Sequence, residues 1–133
     1  MKTIKFRAWD KQINKWYKPT NEAYKGNLFE VLIGFSGDLV AHTMTGLVHE
    51  SMWPDRFELM QFTGLKDKNG VEIYEGDIVK TLYPLYTNPR DNRRIVEYHN
   101  ERAMYIFCDG YNEPLFDKLV EIIGNRFENP ELL

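Results

Sequence analysis

Hydrophobic and polar positions alternate along residues 2–9, as they do in a β-strand with one buried face. The alternation predicts that Ile4, Phe6 and Ala8 are buried, and that Thr3, Lys5, Arg7 and Trp9 are exposed. A polar segment follows, and Trp16 and Tyr17 then resume an apolar run. We therefore expect the chain to open with a β-hairpin.

Further runs rich in β-branched and aromatic residues predict strands along most of the chain. They lie at residues 28–35, 39–45, 56–63, 71–74, 77–83, 94–99 and 103–108. The glycine of Glu75-Gly76 suits a sharp bend that curves a short sheet toward a closed barrel. Residues 47–57 contain Pro54, which does not fit a central strand, so we expect an irregular segment there.

Two parts of the C-terminal half are less regular. Residues 83–94 carry two prolines and several charges, which predicts an exposed loop. Residues 115–123 fit either one amphipathic helix or a loop followed by a strand from Leu119 to Ile123, ended by Gly124-Asn125 in both cases. Asn129 and Pro130 predict the N-cap and first residue of a last helical turn.

These elements indicate a mainly β fold with minor helix, in the β-rich α+β class. We expect hairpins and a small SH3-like or partly closed barrel within a single domain spanning residues 1–133. Cys108 is the only cysteine, which excludes an intrachain disulfide and fits a reducing compartment. The N-terminal segment lacks the unbroken apolar run of a secretory signal, and no later run reaches membrane-spanning length, so we expect a cytoplasmic protein.

Positive charge is concentrated at the start of the chain. Residues 1–20 hold six lysines and arginines and one aspartate, although the formal net charge of the chain is −3. The exposed face predicted for the first strand mixes cations with an aromatic ring, as single-strand nucleic-acid binders do. The candidate nucleic-acid site consists of Lys5, Arg7 and Trp9, extended by Arg90, Arg93 and Arg94. The sequence pI of about 5.6 argues against this interpretation.

The residues that could carry chemistry have simpler structural interpretations. Four acidic residues surround a predicted turn: Asp67, Glu72, Glu75 and Asp77. Two of them together could act as an acid–base pair or bind a divalent cation, but aspartate at such turns more often caps the backbone. His42 and His49 are spaced badly for a metal site, and no phosphate-binding loop or dinucleotide motif is present. We therefore predict no catalytic, metal-binding or cofactor-binding residues and no enzymatic activity.

Three segments carry a family resemblance: KFRAWD at 5–10, MQFTGLKDKNGVEIYEGDIV at 60–79 and IIGNRFENPELL at 122–133. They resemble the signature blocks of the YopX family, small proteins found mainly in bacteriophages and prophages. Arg126-Phe127 departs from the family pattern, which has a β-branched residue and tyrosine there. The resemblance implies a β-rich fold with a barrel-like part, a phage or prophage gene, and the cytoplasm of a bacterial host. It implies no activity.

The leading hypothesis is a non-enzymatic phage accessory protein that binds another protein or assembles with itself. Its many aromatic residues, three Trp and eight Tyr among them, suit an interface. The alternative is a nucleic-acid-binding module that uses the basic and aromatic face of the first strand. No membrane partner is expected.

Overall fold

The computed structural model describes residues 2–22, 25, 28–81, 92–108, 113–114 and 120–133. The fold is mostly β, with a curled half-barrel sheet and minor helix, as predicted. The strands are β1 (Phe6–Asp10), β2 (Lys15–Trp16), β3 (Glu30–Ile33), β4 (Leu39–Thr43), β5 (Gly46–His49), β6 (Phe57–Lys66), β7 (Glu72–Tyr74), β8 (Asp77–Thr81), β9 (Arg93–His99), β10 (Met104–Cys108), β11 (Glu113–Pro114) and β12 (Val120–Asn125). Short 3-10 helices span Glu50–Met52 and Pro130–Leu132. None of the helices in these ranges is long and apolar enough to cross a membrane.

The chain forms two compact units. Residues Ala8–Leu59 make one, called here the meander unit, and Met1–Arg7 with Met60–Leu133 make the other, called the five-stranded unit. The single domain expected over residues 1–133 stays a prediction.

The meander unit begins with the predicted first hairpin. Trp9 lies opposite Trp16 in the β1–β2 pair, and their rings pack edge to face with centroids 5.0 Å apart. The antiparallel meander β3–β4–β5 follows. Leu39 and Ala41, on one face of its central strand β4, are buried.

The five-stranded unit is named after its antiparallel sheet, in the order β11-β10-β9-β8-β12. Its core consists of Ile73, Val79, Val96 and Val120, which are completely buried, with Leu65, Tyr105 and Ile122 packed against them. In the same unit β6 pairs with β7, and the register shifts between Phe62 and Lys66, where Gly64 has a φ of +88°. β-Branched residues supply most of this core, in keeping with their preference for sheets.

The predicted hairpins at 28–45 and 94–108 are confirmed, and so are the strands on either side of Glu75-Gly76. The irregular segment predicted over residues 47–57 is wrong for 47–49, which belong to β5 and pair with β4. Gly46, at φ +129°, makes the tight reversal possible, and Pro54 comes after the strand has ended. The loop predicted at 83–94 lies outside the described residues up to 91, and β9 already begins at Arg93.

The C-terminal segment adopts the second of its two predicted alternatives. A strand covers Val120–Asn125 and continues through Gly124, while residues 115–119 lie outside the described ranges. The last helical turn is confirmed as a 3-10 helix with Asn129 at its N-cap and Pro130 in its first turn, although the Asn129 side chain makes no capping hydrogen bond. The Asn129 side chain instead accepts a hydrogen bond from the Asn125 N–H, at 3.2 Å.

Candidate functional site

Lys5, just before β1, and Arg7, within it, lie against acidic side chains of the same five-stranded unit. Lys5 forms an ion pair with Glu72, and its Nζ lies 5.4 Å from the centre of the Phe62 ring. The hydrogen bond from Lys5 lowers the pKa of Glu72, and that same bond raises the pKa of Lys5. The positive charge of Lys5 is therefore compensated on the protein surface.

Arg7 is bound more deeply. Its Nη2 donates to Asp77 Oδ1 at 2.6 Å and to the Glu75 carbonyl at 3.3 Å, and its guanidinium lies 4.7 Å from the Tyr74 ring centre. Asp77 is buried, and its Oδ2 accepts the Tyr74 N–H at 2.8 Å. Burial raises the pKa of Asp77, although the Arg7 charge and both hydrogen bonds oppose the change.

The other two carboxylates of the acidic cluster also accept backbone hydrogen bonds. Asp67 closes the turn after β6 and reaches β12, with donors at Asn69 (2.8 Å), Val71 (3.0 Å) and Ile122 (3.1 Å). Burial alone would raise the pKa of Asp67, but these donors outweigh it and lower the pKa. Glu75 accepts the Gln61 N–H at 3.0 Å. The acidic cluster thus holds turns and strands together, and no group of three potential metal ligands occurs in the described ranges.

The remaining residues of the candidate nucleic-acid site do not form one exposed face. Trp9 is only 7% exposed, against expectation, because it packs on Trp16. Arg94 is buried and donates to the Arg93 carbonyl at 2.8 Å, whereas Arg93 is half-buried. Arg90 lies outside the described residues. Nucleic-acid binding stays a hypothesis, and no observation on these residues favours it.

The C-terminal segment packs on the turn between β7 and β8. The Arg126 N–H donates to the Gly76 carbonyl at 2.9 Å, and a Cβ on Gly76 would lie 3.1 Å from the Met60 sulfur. A Cβ on Gly124 would lie 2.5 Å from Asn129 Oδ1, which real contacts do not allow. A side chain at Gly124 would therefore displace Asn129, and at Gly76 the positive φ of +79° adds backbone strain to the close contact with Met60.

The outer face of the meander carries exposed apolar side chains. The register places Leu32 and His49 on either side of Val40, and Glu30 and Leu47 on either side of His42. Leu32 is 43% exposed and Leu47 is 65% exposed. This face is opposite to the buried face of Leu39 and Ala41, because neighbouring residues of a strand point to opposite sides.

The two turns of the meander extend its apolar surface. Phe35, in the β3–β4 turn, is fully exposed, and Met44, in the β4–β5 turn, is 68% exposed. The exposure of Phe35 and Met44 does not follow from the sequence prediction, which places both residues in strands. The available signal was a large apolar residue directly beside Ser36-Gly37 and Thr45-Gly46.

Two histidine–carboxylate contacts accompany the outer face. His42 Nδ1 lies 3.3 Å from Glu30 Oε1, and His49 Nε2 lies 3.1 Å from Asp38 Oδ2. Each histidine is thus held beside one carboxylate.

Comparison with known proteins identifies the family. A family model described as YopX protein matches residues 5–133. The chain belongs to the YopX family. Two solved structures resemble this YopX chain. Protein EF1440 from Enterococcus faecalis is 29% identical, with 98% of each chain covered and a TM-score of 0.61. Protein yopX from Bacillus subtilis is 21% identical, with 100% of this chain and 99% of that chain covered and a TM-score of 0.54, and it shows likeness of fold alone. No curated protein matches the chain.

The YopX signature residues meet one another inside the five-stranded unit. Arg7 of the first block binds Asp77 of the second, and Asp67 of the second binds Ile122 of the third. The departure at Arg126-Phe127 keeps the main-chain contact with Gly76, because that bond uses the backbone of Arg126. The family signature therefore describes internal contacts of a scaffold.

Proposed function

We propose that this YopX protein is a non-enzymatic accessory protein of a phage or prophage that assembles with a second copy of itself through the outer face of its meander. The observation that carries the proposal is the set of exposed apolar side chains at Leu32, Leu47 and Phe35. Exposed apolar surface marks interaction sites when it exceeds what single scattered side chains provide. The carboxylates that would serve an enzyme, Asp67 and Asp77, are already bound to backbone and arginine donors.

A second copy is the favoured occupant because the face suits a two-fold contact. In such a contact the same apolar patch meets itself, so the exposed leucines of one copy can be buried against those of the other. The carboxylates of the face, Glu30 and Asp38, each lie within hydrogen-bonding distance of a histidine of the same copy, His42 or His49. Neither carboxylate therefore needs a new partner in the contact.

The available area sets the expected strength. A fully exposed phenylalanine offers ~200 Å², and the two partly exposed leucines offer about as much again. Their sum is roughly half of the ~800 Å² that each partner buries in a stable complex. We therefore expect a weak, concentration-dependent dimer with a dissociation constant in the micromolar range or above.

Sedimentation velocity over a wide range of protein concentrations tests the proposal. Wild-type protein should shift from monomer to dimer, and the double variant Phe35→Ser/Leu47→Ser should stay monomeric. Ile13→Ser is the matched control, because Ile13 is an exposed apolar residue in the β1–β2 turn, outside the three-stranded sheet β3–β4–β5. A wild-type protein that is monomeric at every concentration, or a dimer that the double variant leaves intact, would refute self-assembly through this face.

A further inference from the structure

A cavity of about 340 Å³ lies within the meander unit, after β5. Seven residues of the segment 50–57 line it, so one continuous stretch of chain builds the whole site. Its volume is at the lower end of small-molecule sites, and it suits a single side chain rather than a larger ligand.

One wall of the cavity is a rigid arginine. Arg56 donates from Nε to Asp10 Oδ1 at 3.1 Å and from Nη2 to Asp10 Oδ2 at 2.9 Å. Its guanidinium lies 4.8 Å from the Trp53 ring centre and 5.0 Å from that of Phe57. Asp10 is buried and neutralises Arg56, so this wall adds shape and aromatic surface but little net charge.

The cavity carries a net negative charge, which comes from two carboxylates. Glu50 and Asp55 both line it, and neither forms an ion pair or side-chain hydrogen bond within the part of the chain that the structure describes. Asp55 has a φ of +57°, which holds its backbone in the left-handed region.

We propose that this cavity binds the cationic end of a lysine or arginine side chain from a protein segment. The carboxylates of Glu50 and Asp55 attract a cation. The Trp53 and Phe57 rings, which Arg56 holds in place, provide apolar walls against which the methylene groups of a lysine or arginine side chain can pack. A phosphate-bearing ligand would be repelled by both carboxylates. The proposal does not depend on self-assembly, because the outer face of the meander is a different set of residues.

The indole N–H signal of Trp53 in a two-dimensional NMR spectrum can report binding. The probes are N-acetyl-lysine methylamide and N-acetyl-arginine methylamide, and the neutral control is N-acetyl-norleucine methylamide. We expect saturable shifts at millimolar concentrations of the two cationic probes at low salt, and none with the neutral probe. Repeating the titration on Phe35→Ser/Leu47→Ser separates the two proposals, because that variant keeps the cavity.

The double variant Glu50→Gln/Asp55→Asn should bind the cationic probes at least tenfold more weakly, and asparagine tolerates the positive φ at position 55. Glu97→Gln/Glu101→Gln changes the net charge equally in the five-stranded unit and should bind like the wild type. An unchanged spectrum elsewhere checks the fold of both. The proposal would be overturned if the lysine and norleucine probes bound equally, or if Glu50→Gln/Asp55→Asn bound the cationic probes like the wild type. It would also be overturned if binding did not saturate, or if a nucleoside bound in preference to the cationic probes.

Peptides distinguish the source of the cation. A peptide of residues 11–20 carries Lys15 and Lys18, which are exposed and form no ion pair with the described residues. Tighter binding of this peptide than of its scrambled sequence would indicate a second copy as the source. Equal binding would indicate a lysine-bearing segment of another protein, and both results support the cavity as the site.

Discussion

Replacement of Asp77 separates two roles of one buried carboxylate. The side chain accepts the Tyr74 N–H through Oδ2 and the Arg7 guanidinium through Oδ1. Asp77→Ala removes both acceptors, whereas Asp77→Asn removes the negative charge and keeps an acceptor oxygen. The two variants therefore measure hydrogen bonding and charge in different proportions.

We expect Asp77→Ala to lower the free energy of unfolding by about 3 kcal/mol. A buried backbone N–H left without an acceptor costs about 1–3 kcal/mol, and the lost hydrogen bond from a charged donor costs about 1.5–3 kcal/mol. The cost of losing the Arg7 hydrogen bond should lie at the lower end of its range, because a quarter of the Arg7 side chain is exposed and water can replace part of the lost bond.

Asp77→Asn should change the free energy of unfolding by only about 1 kcal/mol, since the native state does not favour the charged form. Burial raises the pKa of Asp77 above its ordinary value of 3.8, despite the attraction of Arg7. Between 3.8 and the raised value, the native state binds more protons than the unfolded chain, so the contribution of Asp77 to stability falls as pH rises. Relative to Asp77→Asn, the wild type should thus gain stability as pH falls through this range.

Urea unfolding followed by far-UV circular dichroism at neutral and mildly acidic pH measures these differences. Tryptophan fluorescence is unsuitable, because Trp9, Trp16 and Trp53 all lie in the meander unit and Asp77 does not. Glu72→Ala is the control, since it breaks an exposed ion pair of the same surface and should change stability little. If Asp77→Asn is as destabilising as Asp77→Ala, or if the wild type loses stability relative to Asp77→Asn on acidification, attraction by Arg7 outweighs burial and the argument fails.

Two further expectations concern the C-terminal packing and the nucleic-acid hypothesis. Gly124→Ala should lower the free energy of unfolding by about 2 kcal/mol, because its Cβ would overlap the Asn129 side chain. In a double-mutant cycle measured by urea unfolding, most of this cost should disappear when Asn129→Gly is also present. Fully additive effects of the two substitutions would contradict the packing argument. Fluorescence anisotropy with single- and double-stranded oligonucleotides at low salt should show no binding, because Lys5 and Arg7 already face carboxylates. Binding that weakens steeply as salt is added would instead support the nucleic-acid-binding alternative.

Strand positions were predictable from sequence because turn residues and alternating runs are local signals, but the exposed face of β1 was not. Period-two alternation assumes that one face meets water along the whole strand. At the end of β1, Ala8, Trp9 and Asp10 are all buried. Trp9 packs on Trp16 and Asp10 binds Arg56, so both faces are covered there.

The surroundings of the basic residues in the candidate nucleic-acid site could not be predicted from sequence for a related reason. Lys5 and Arg7 are excess cations in a local count, but their partners Glu72 and Asp77 lie 67 and 70 residues further along the chain. Local charge does not give the electrostatic potential of a folded surface, because distant strands supply the counter-charges.

The position of the exposed features relative to the family signature bears on where function lies. The blocks at 60–79 and 122–133 are joined by Asp67 and by the Gly76 carbonyl. Gly124 lies too close to the Asn129 side chain to carry a side chain of its own, and Gly64, Gly70 and Gly76 adopt a positive φ. Such residues shape the five-stranded unit and offer little to a partner. The exposed apolar face and the acidic cavity lie instead within residues 30–57, between the first and second blocks. A scaffold defined by internal contacts can keep its fold while that segment changes, so partner specificity in this YopX protein should reside in the meander unit rather than in the signature that identifies the family.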